Sequence, residues 1–188
     1  YLHFSHIAFG LSHGMNVICE KPLVLTSNEL FRLQELEKQY AKKVFCILQL
    51  RLHPLIQKLN TRVEDLIAGD RQRSKLQVSL NYVTSRGPWY KKSWKFDESK
   101  SGGIASNIGI HFFDMLIRLF GYPTSFSIKE NDPERLEGTL DCPLAQIEFC
   151  LSIRQKDLPR EVRNSDQRSW RQMMIDGEPF YFTNGFTD

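Results

Sequence analysis

Apolar positions follow two rhythms along this chain, and the rhythm changes once. In the first third they recur every three or four residues. His3 to His13 places Phe4, Ile7, Ala8 and Leu11 at helical spacing, and Gly14 follows as a stop. Asn16 to Cys19 reads as a short buried strand. Thr26 with Glu29 three residues on forms a capping box, and Leu30, Leu33, Leu36 and Tyr40 carry a helix to about Lys43. Val44 to Leu50 is the next strand. Pro54 pushes His53 out of helical geometry and so marks the start of a helix running to about Gly69. Helix, strand, helix, strand is the order of a doubly wound parallel sheet.

From Lys75 the period becomes two. Leu76, Val78, Leu80 and Tyr82 face one way while Gln77, Ser79 and Asn81 face the other, the pattern of a half-exposed strand. Four more strands are expected over Ser125 to Glu130, Arg135 to Leu140, Leu144 to Ile153 and Ser169 to Ile175. Asp176-Gly177 then turns the chain into Pro179 to Thr183. Arg154 to Arg168, the most polar stretch, reads as a long loop. These strands form an open, mostly antiparallel sheet whose outer face needs covering, which predicts self-association through it.

Between the strands lies Gly102 to Gly121, an apolar, helix-periodic run opened by a glycine pair. It carries Asn107, His111 and Asp114 at spacings of four and three, on one helical face. Placing an amide, an imidazole and a carboxylate among Ile108, Phe112, Met115 and Leu116 is costly unless each finds a partner. A structural role satisfies that demand as well as a functional one. Glu20-Lys21-Pro22 follows the first strand directly, at the strand end where parallel sheets bind ligands. Arg86 to Lys95 interleaves aromatics with cations. Such a mix suits the bases of single-stranded nucleic acid or a nucleotide-sugar held by stacking and phosphate contacts, and one isolated decapeptide favours the small ligand.

Composition narrows the picture little. A net charge of +3 does not argue for nucleic acid, and the four cysteines show no metal-finger spacing, which fits a reducing cytoplasm. No run reaches the length of a membrane span. The chain opens at Tyr1 on helix-like sequence and stops as abruptly after Asn184 to Asp188, so a piece of a longer polypeptide is expected.

Two motifs in the right order, Glu20-Lys21-Pro22 and Gly102-Gly103 followed by Asn107-x-x-x-His111-x-x-Asp114, make the chain resemble the Gfo/Idh/MocA oxidoreductases. Within that family it is similar to the WlbA/WbpB branch, which oxidises a UDP-N-acetylglucosamine-derived uronic acid at C3. That likeness rests on Ser93-Trp94-Lys95, Asn107 to Asp114, Leu151-Ser152-Ile153 with Asp157-Leu158-Pro159, and Gly185-Phe186-Thr187-Asp188. The chain departs from the branch at Arg154, where an acidic residue is expected.

The resemblance implies the tail end of a Rossmann domain over residues 1–50, followed by a substrate-binding and oligomerisation domain over 51–188. It implies NAD as cofactor, with Glu20, Lys21 and Pro22 against it, and Lys21 and His111 as catalytic residues. Arg86, Tyr90, Trp94, Lys95, Asn107 and Asp114 become the expected substrate contacts, with Asp114 orienting the imidazole or binding sugar hydroxyls. The partners implied are a UDP-sugar and further copies of the chain as a dimer or tetramer, with neither nucleic acid nor membrane. The setting implied is cytoplasmic synthesis of surface-polysaccharide sugars such as those of lipopolysaccharide O-antigen. No glycines here form the G-x-G-x-x-G turn that cradles a dinucleotide, so the piece alone is expected to be inactive. The alternatives are another sugar or cyclitol dehydrogenase of the family, or a non-catalytic binding and oligomerisation domain.

Overall fold

A computed structural model of the chain describes residues 1–69 and 74–182. Thr183 and the Gly185-Phe186-Thr187-Asp188 motif lie outside the described residues. The first elements are α1 (His3–Ser12), β1 (Val17–Cys19), α2 (Ser27–Tyr40) and β2 (Val44–Cys46). β1 and β2 pair in parallel, with Val17 opposite Val44, Ile18 opposite Phe45 and Cys19 opposite Cys46. Both helices cover one face of this pair, where Ile7, Leu11, Cys19 and Leu33 form a small core. Strand alternation sends Ile18 and Phe45 to the other face, where they are 73% and 55% exposed. The expected buried strand is therefore buried on one side only.

Local chemistry sets the ends of these elements. The Thr26 hydroxyl accepts from the Glu29 amide at 3.2 Å while the Glu29 carboxylate accepts from the Thr26 amide at 3.2 Å. α2 stops at Tyr40, short of Lys43, because Ala41 turns left-handed at φ 49° and the Lys42 amide returns to the Glu37 carbonyl. β2 also ends early, at Cys46 instead of Leu50. Its partner β1 finishes at Cys19, the Ile47 amide makes a last bond to the Cys19 carbonyl, and Gln49–Leu52 then winds into a 3₁₀ turn.

His53 is extended, at φ −69° and ψ 121°, and α3 (Pro54–Gly69) starts at the proline as expected. β3 (Leu76–Thr84), α4 (Pro88–Lys91), α5 (Glu98–Ser101), a π turn over Ala105–Gly109 and α6 (Ile110–Phe120) follow. β4 (Ser125–Asp132), β5 (Arg135–Asp141), β6 (Ala145–Ser152), α7 (Arg160–Arg163), β7 (Ser169–Ile175) and β8 (Glu178–Phe180) complete the described residues. The strands form one sheet in the order β4-β5-β6-β3-β7-β8, antiparallel except where β3 meets β6. Asp176 and Gly177 both take positive φ, as a tight hairpin between β7 and β8 requires. The stretch Arg154 to Arg168 is less irregular than expected, since it contains a 3₁₀ turn at Gln155–Asp157 as well as α7.

α3 and α6 cover one face of this sheet. Ile56, Leu59 and Val63 from α3 and Phe112, Met115 and Leu116 from α6 pack on inward residues of β3 and β6. The opposite face carries Gln77, Ser79 and Asn81 on β3 and Gln146, Glu148 and Cys150 on β6, so it is polar. Gly109 sets how closely α6 approaches β6. A methyl group there would lie 2.6 Å from Phe113 and 2.9 Å from Leu151. Gly109→Ala is expected to destabilise the fold by about 1–3 kcal/mol through overpacking; chemical denaturation checks this, and an unmoved midpoint would refute the tight approach.

Arg154 has a structural occupation. Its guanidinium pairs with Glu130 at 2.8 Å and with Asp132, while neighbouring Arg135 holds Glu130 at 2.9 Å, Asp157 at 2.8 Å and also Glu137. The Ser152 hydroxyl completes the network by donating to Asp157 at 2.6 Å. This cluster ties β4, β5 and the end of β6 to the turn that follows.

Candidate active site

β1 runs out into Glu20, Lys21 and Pro22, with the Lys21–Pro22 peptide cis. From there the Lys21 side chain reaches across to the π turn, and its Nζ donates to the Asn107 carbonyl oxygen at 2.5 Å. π turns wind more widely than α-helix and recur at functional sites. The Asn107 side chain is held from the other direction, its Nδ2 donating to the Tyr90 hydroxyl at 3.0 Å. Tyr90 is buried, and the Arg86 guanidinium lies 5.8 Å from its ring centroid. The end of β1, the π turn and α4 thus fix one lysine beside one asparagine.

Beside them opens a cavity of about 360 Å³. Lys21, Asn107, His111, Arg86 and Arg171 bring charge or hydrogen-bonding capacity to its wall, with Gln49 and Thr84. Leu50, Tyr82, Ile108 and Phe112 supply the apolar remainder. Among the described residues, no carboxylate lines it.

His111 is half-buried, and its Nδ1 is inaccessible and has no hydrogen-bond partner among the described residues. A ligand therefore meets the ring at its other edge, which carries Nε2. Burial pulls the His111 pKa below the ordinary histidine value, and the Lys21 charge pulls in the same direction. The imidazole is consequently neutral near pH 7 and can accept a proton. Burial also lowers the Lys21 pKa; the Glu20 carboxylate opposes this, and Lys95 and Arg86 add to it.

The remaining expected contacts are distributed differently. Asp114 does not line the cavity. Arg51 engages both its oxygens, Nε donating to Oδ2 at 2.8 Å and Nη2 to Oδ1 at 2.5 Å, so Asp114 makes no hydrogen bond to His111, although its charge acts on the imidazole. Asn107 lies inside the π turn while His111 and Asp114 lie in α6, so one regular helical face does not carry all three side chains. Tyr90 supports Asn107 from beneath without walling the cavity. Trp94 is 50% exposed and stands outside it, as does Lys95, whose charge nonetheless reaches Lys21.

Sequence reasoning missed Arg171. It sits opposite Tyr82 in the β3–β7 register, with its guanidinium 5.1 Å from the Phe182 ring centroid, 5.3 Å from Tyr82 and 5.5 Å from Phe112. A signal existed. Arg171 shares strand parity with the fully buried Met173, so a cation was placed on the inward face of a predicted strand.

Residues 1–47 match the family model described as the NAD-binding Rossmann fold of an oxidoreductase family, and residues 75–151 match the C-terminal alpha/beta domain of the same family. The chain belongs to the Gfo/Idh/MocA oxidoreductase family. Among solved members, the WlbA (WbpB) dehydrogenase from Thermus thermophilus in complex with NAD and alpha-ketoglutarate is 42% identical. That match has a TM-score of 0.90 and covers 100% of this chain and 59% of that one. The same dehydrogenase in complex with NAD and UDP-GlcNAcA is 41% identical with a TM-score of 0.89, covering 98% of this chain and 58% of the other. An uncharacterised oxidoreductase of Schizosaccharomyces pombe is 26% identical over 162 residues, 86% of this chain and 41% of that protein. The chain therefore spans less than two thirds of these Gfo/Idh/MocA relatives.

The family's cofactor can be tested against the residues present. β1 and β2 end side by side at Cys19 and Cys46, next to Lys21 and the cavity, and parallel sheets receive ligands beyond such ends. Glu20, Lys21 and Pro22 thus fit the nicotinamide end of a dinucleotide. The chain holds no glycine-rich turn for the pyrophosphate. Among the described residues, no cluster of His, Cys, Asp or Glu could hold a metal ion, and no helix is long and apolar enough to cross a membrane.

Proposed function

We propose that the full-length protein oxidises the 3-hydroxyl of a UDP-N-acetylglucosaminuronic acid to the 3-keto sugar with NAD. The observation that carries this reading is the cationic lining of the cavity around His111, to which Lys21, Arg86 and Arg171 contribute, with no carboxylate among the described residues that line it. Such a lining matches a sugar with anionic groups better than a neutral cyclitol. The likeness to a dehydrogenase whose solved complex contains UDP-GlcNAcA supports the same substrate class.

When bound, NAD supplies the hydride acceptor. His111, neutral at the outset, takes the hydroxyl proton at Nε2 as the alcohol becomes a ketone. An ammonium has three N–H donors, so Lys21 can keep its bond to the Asn107 carbonyl and still donate to the substrate oxygen, stabilising negative charge that develops there. The bond to Tyr90 keeps the Asn107 amide in one orientation against the sugar. Arg171 meets the C5 carboxylate, since a guanidinium binds carboxylate oxygens in a fixed planar geometry.

This assignment predicts a selective loss. Arg171→Gln should raise KM for the uronate by about 10- to 100-fold with little change in kcat, because an interaction present in both ground and transition states is removed. Steady-state kinetics on the uronate and on UDP-N-acetylglucosamine, which lacks the carboxylate, provide the check. Equal losses on both sugars would sink the carboxylate assignment. Free UDP should compete with the uronate, and indifference to UDP would point instead to a sugar without a nucleotide.

A further inference from the structure

From a second cleft that adjoins the catalytic cavity we infer a binding site for the diphosphate of the nucleotide-sugar, an inference that rests on the substrate reading above. This cleft has a volume of about 450 Å³ and shares Arg86 with the catalytic cavity. Arg163 and Arg168 join Arg86 in lining it, against one carboxylate among the described residues, Asp166. The chain's arginines are used in two contrasting ways. Arg135 and Arg154 are consumed by the carboxylates at the sheet end, whereas Arg163 and Arg168 have no ion-pair partner among the described residues. Gathering guanidinium groups without neutralising them costs repulsion that a bound anion relieves.

The backbone that carries these side chains is tied down. The Ser85 amide donates to the Arg168 carbonyl at 2.7 Å, and the Arg86 amide to the Ile153 carbonyl at 3.3 Å. The Ser165 hydroxyl donates to the Val162 carbonyl at 2.8 Å and accepts from the Gln167 amide at 3.2 Å. Three guanidinium groups against one carboxylate leave an excess of about two positive charges, equal to the charge of a diphosphate diester at neutral pH. The spacing is also compatible. The anomeric carbon is separated from C3 by one ring carbon, so a substrate with its 3-hydroxyl at His111 carries its phosphates beside the catalytic cavity and not on the imidazole itself. Arg86 is the charged side chain common to both cavities.

The test uses Arg163→Gln, Arg168→Gln and Asp166→Asn in the full-length protein, with calorimetric titration of free UDP and kinetics on the nucleotide-sugar. All three positions are exposed, so folding should be unaffected. Each arginine variant is expected to weaken UDP binding and raise KM for the nucleotide-sugar about tenfold, with kcat unchanged. Asp166→Asn should shift UDP affinity the opposite way, which a merely structural residue would not do. Oxidation of the sugar acid lacking UDP should be indifferent to all three. Unchanged UDP affinity in the double arginine variant overturns the inference, as does a loss confined to NAD affinity, which would give the cleft to the dinucleotide's own diphosphate. If the nucleotide-sugar is not oxidised at all but UDP binding follows the predicted pattern, the cleft assignment stands and the proposed reaction falls. Normal turnover with unaltered UDP binding in the variants gives the reverse.

Discussion

Replacing His111 with Asn lowers kcat by about 10²- to 10⁴-fold while substrate affinity changes little. Asparagine is polar and close in size, so the cavity keeps its shape, but it has no group that can accept a proton near neutral pH. The wild-type pH profile carries the same information. His111 works in its neutral form, so activity is lost as pH falls through its pKa. Burial first, and the Lys21 charge second, hold that pKa below the ordinary value of about 6.5. The acid limb of kcat/KM should therefore lie below pH 6.5 and vanish in the variant, where the remaining rate is flat through that region. A His111→Asn protein with near-normal turnover would remove this residue from the chemistry.

Lys21→Met is expected to cost about 10²- to 10³-fold in kcat, the usual range for losing a donor aimed at developing negative charge. Its second consequence has a definite sign. The Lys21 charge lowers the His111 pKa, so removing it should move the acid limb of the residual activity to higher pH. A Lys21 whose charge does not act on the imidazole would leave the limb in place. Lys21→Arg, which keeps the charge, should leave the limb near its wild-type position. Measuring kcat/KM from pH 5 to 9 in the three proteins checks this coupling.

What could be read from sequence was local. The Thr26–Glu29 box, the break at His53-Pro54, the alternation of β3 and the Asp176-Gly177 hairpin each depend on a few neighbouring residues, and the fold contains all of them. The cavity depends on distant ones. Lys21 and Asn107 are 86 positions apart, and only the docking of the β1 end on the π turn brings them together. Periodicity alone could not announce that π turn, which changes where Asn107 stands relative to His111 and Asp114, nor that Arg51, 63 positions before Asp114, engages its carboxylate. β2 looked longer than it is because apolar content says nothing of where a partner strand stops. Arg154 illustrates the same limit, since its carboxylates at Glu130 and Asp132 come from another strand.

The account turns on an anionic sugar being oxidised at the cationic cavity around Lys21 and His111. The measurement that reaches this most directly is the near-ultraviolet absorbance of NADH when the full-length protein meets NAD and UDP-N-acetylglucosaminuronate, with and without a 2-keto acid to reoxidise the cofactor. UDP-N-acetylglucosamine, which lacks only the sugar carboxylate, serves as the comparison. The account predicts NADH formation with the uronate, or turnover of the uronate once the keto acid is present, and at most a small fraction of that rate with the sugar that lacks the carboxylate. Equal rates on the two sugars, or signal only with a simple sugar or cyclitol, would contradict it.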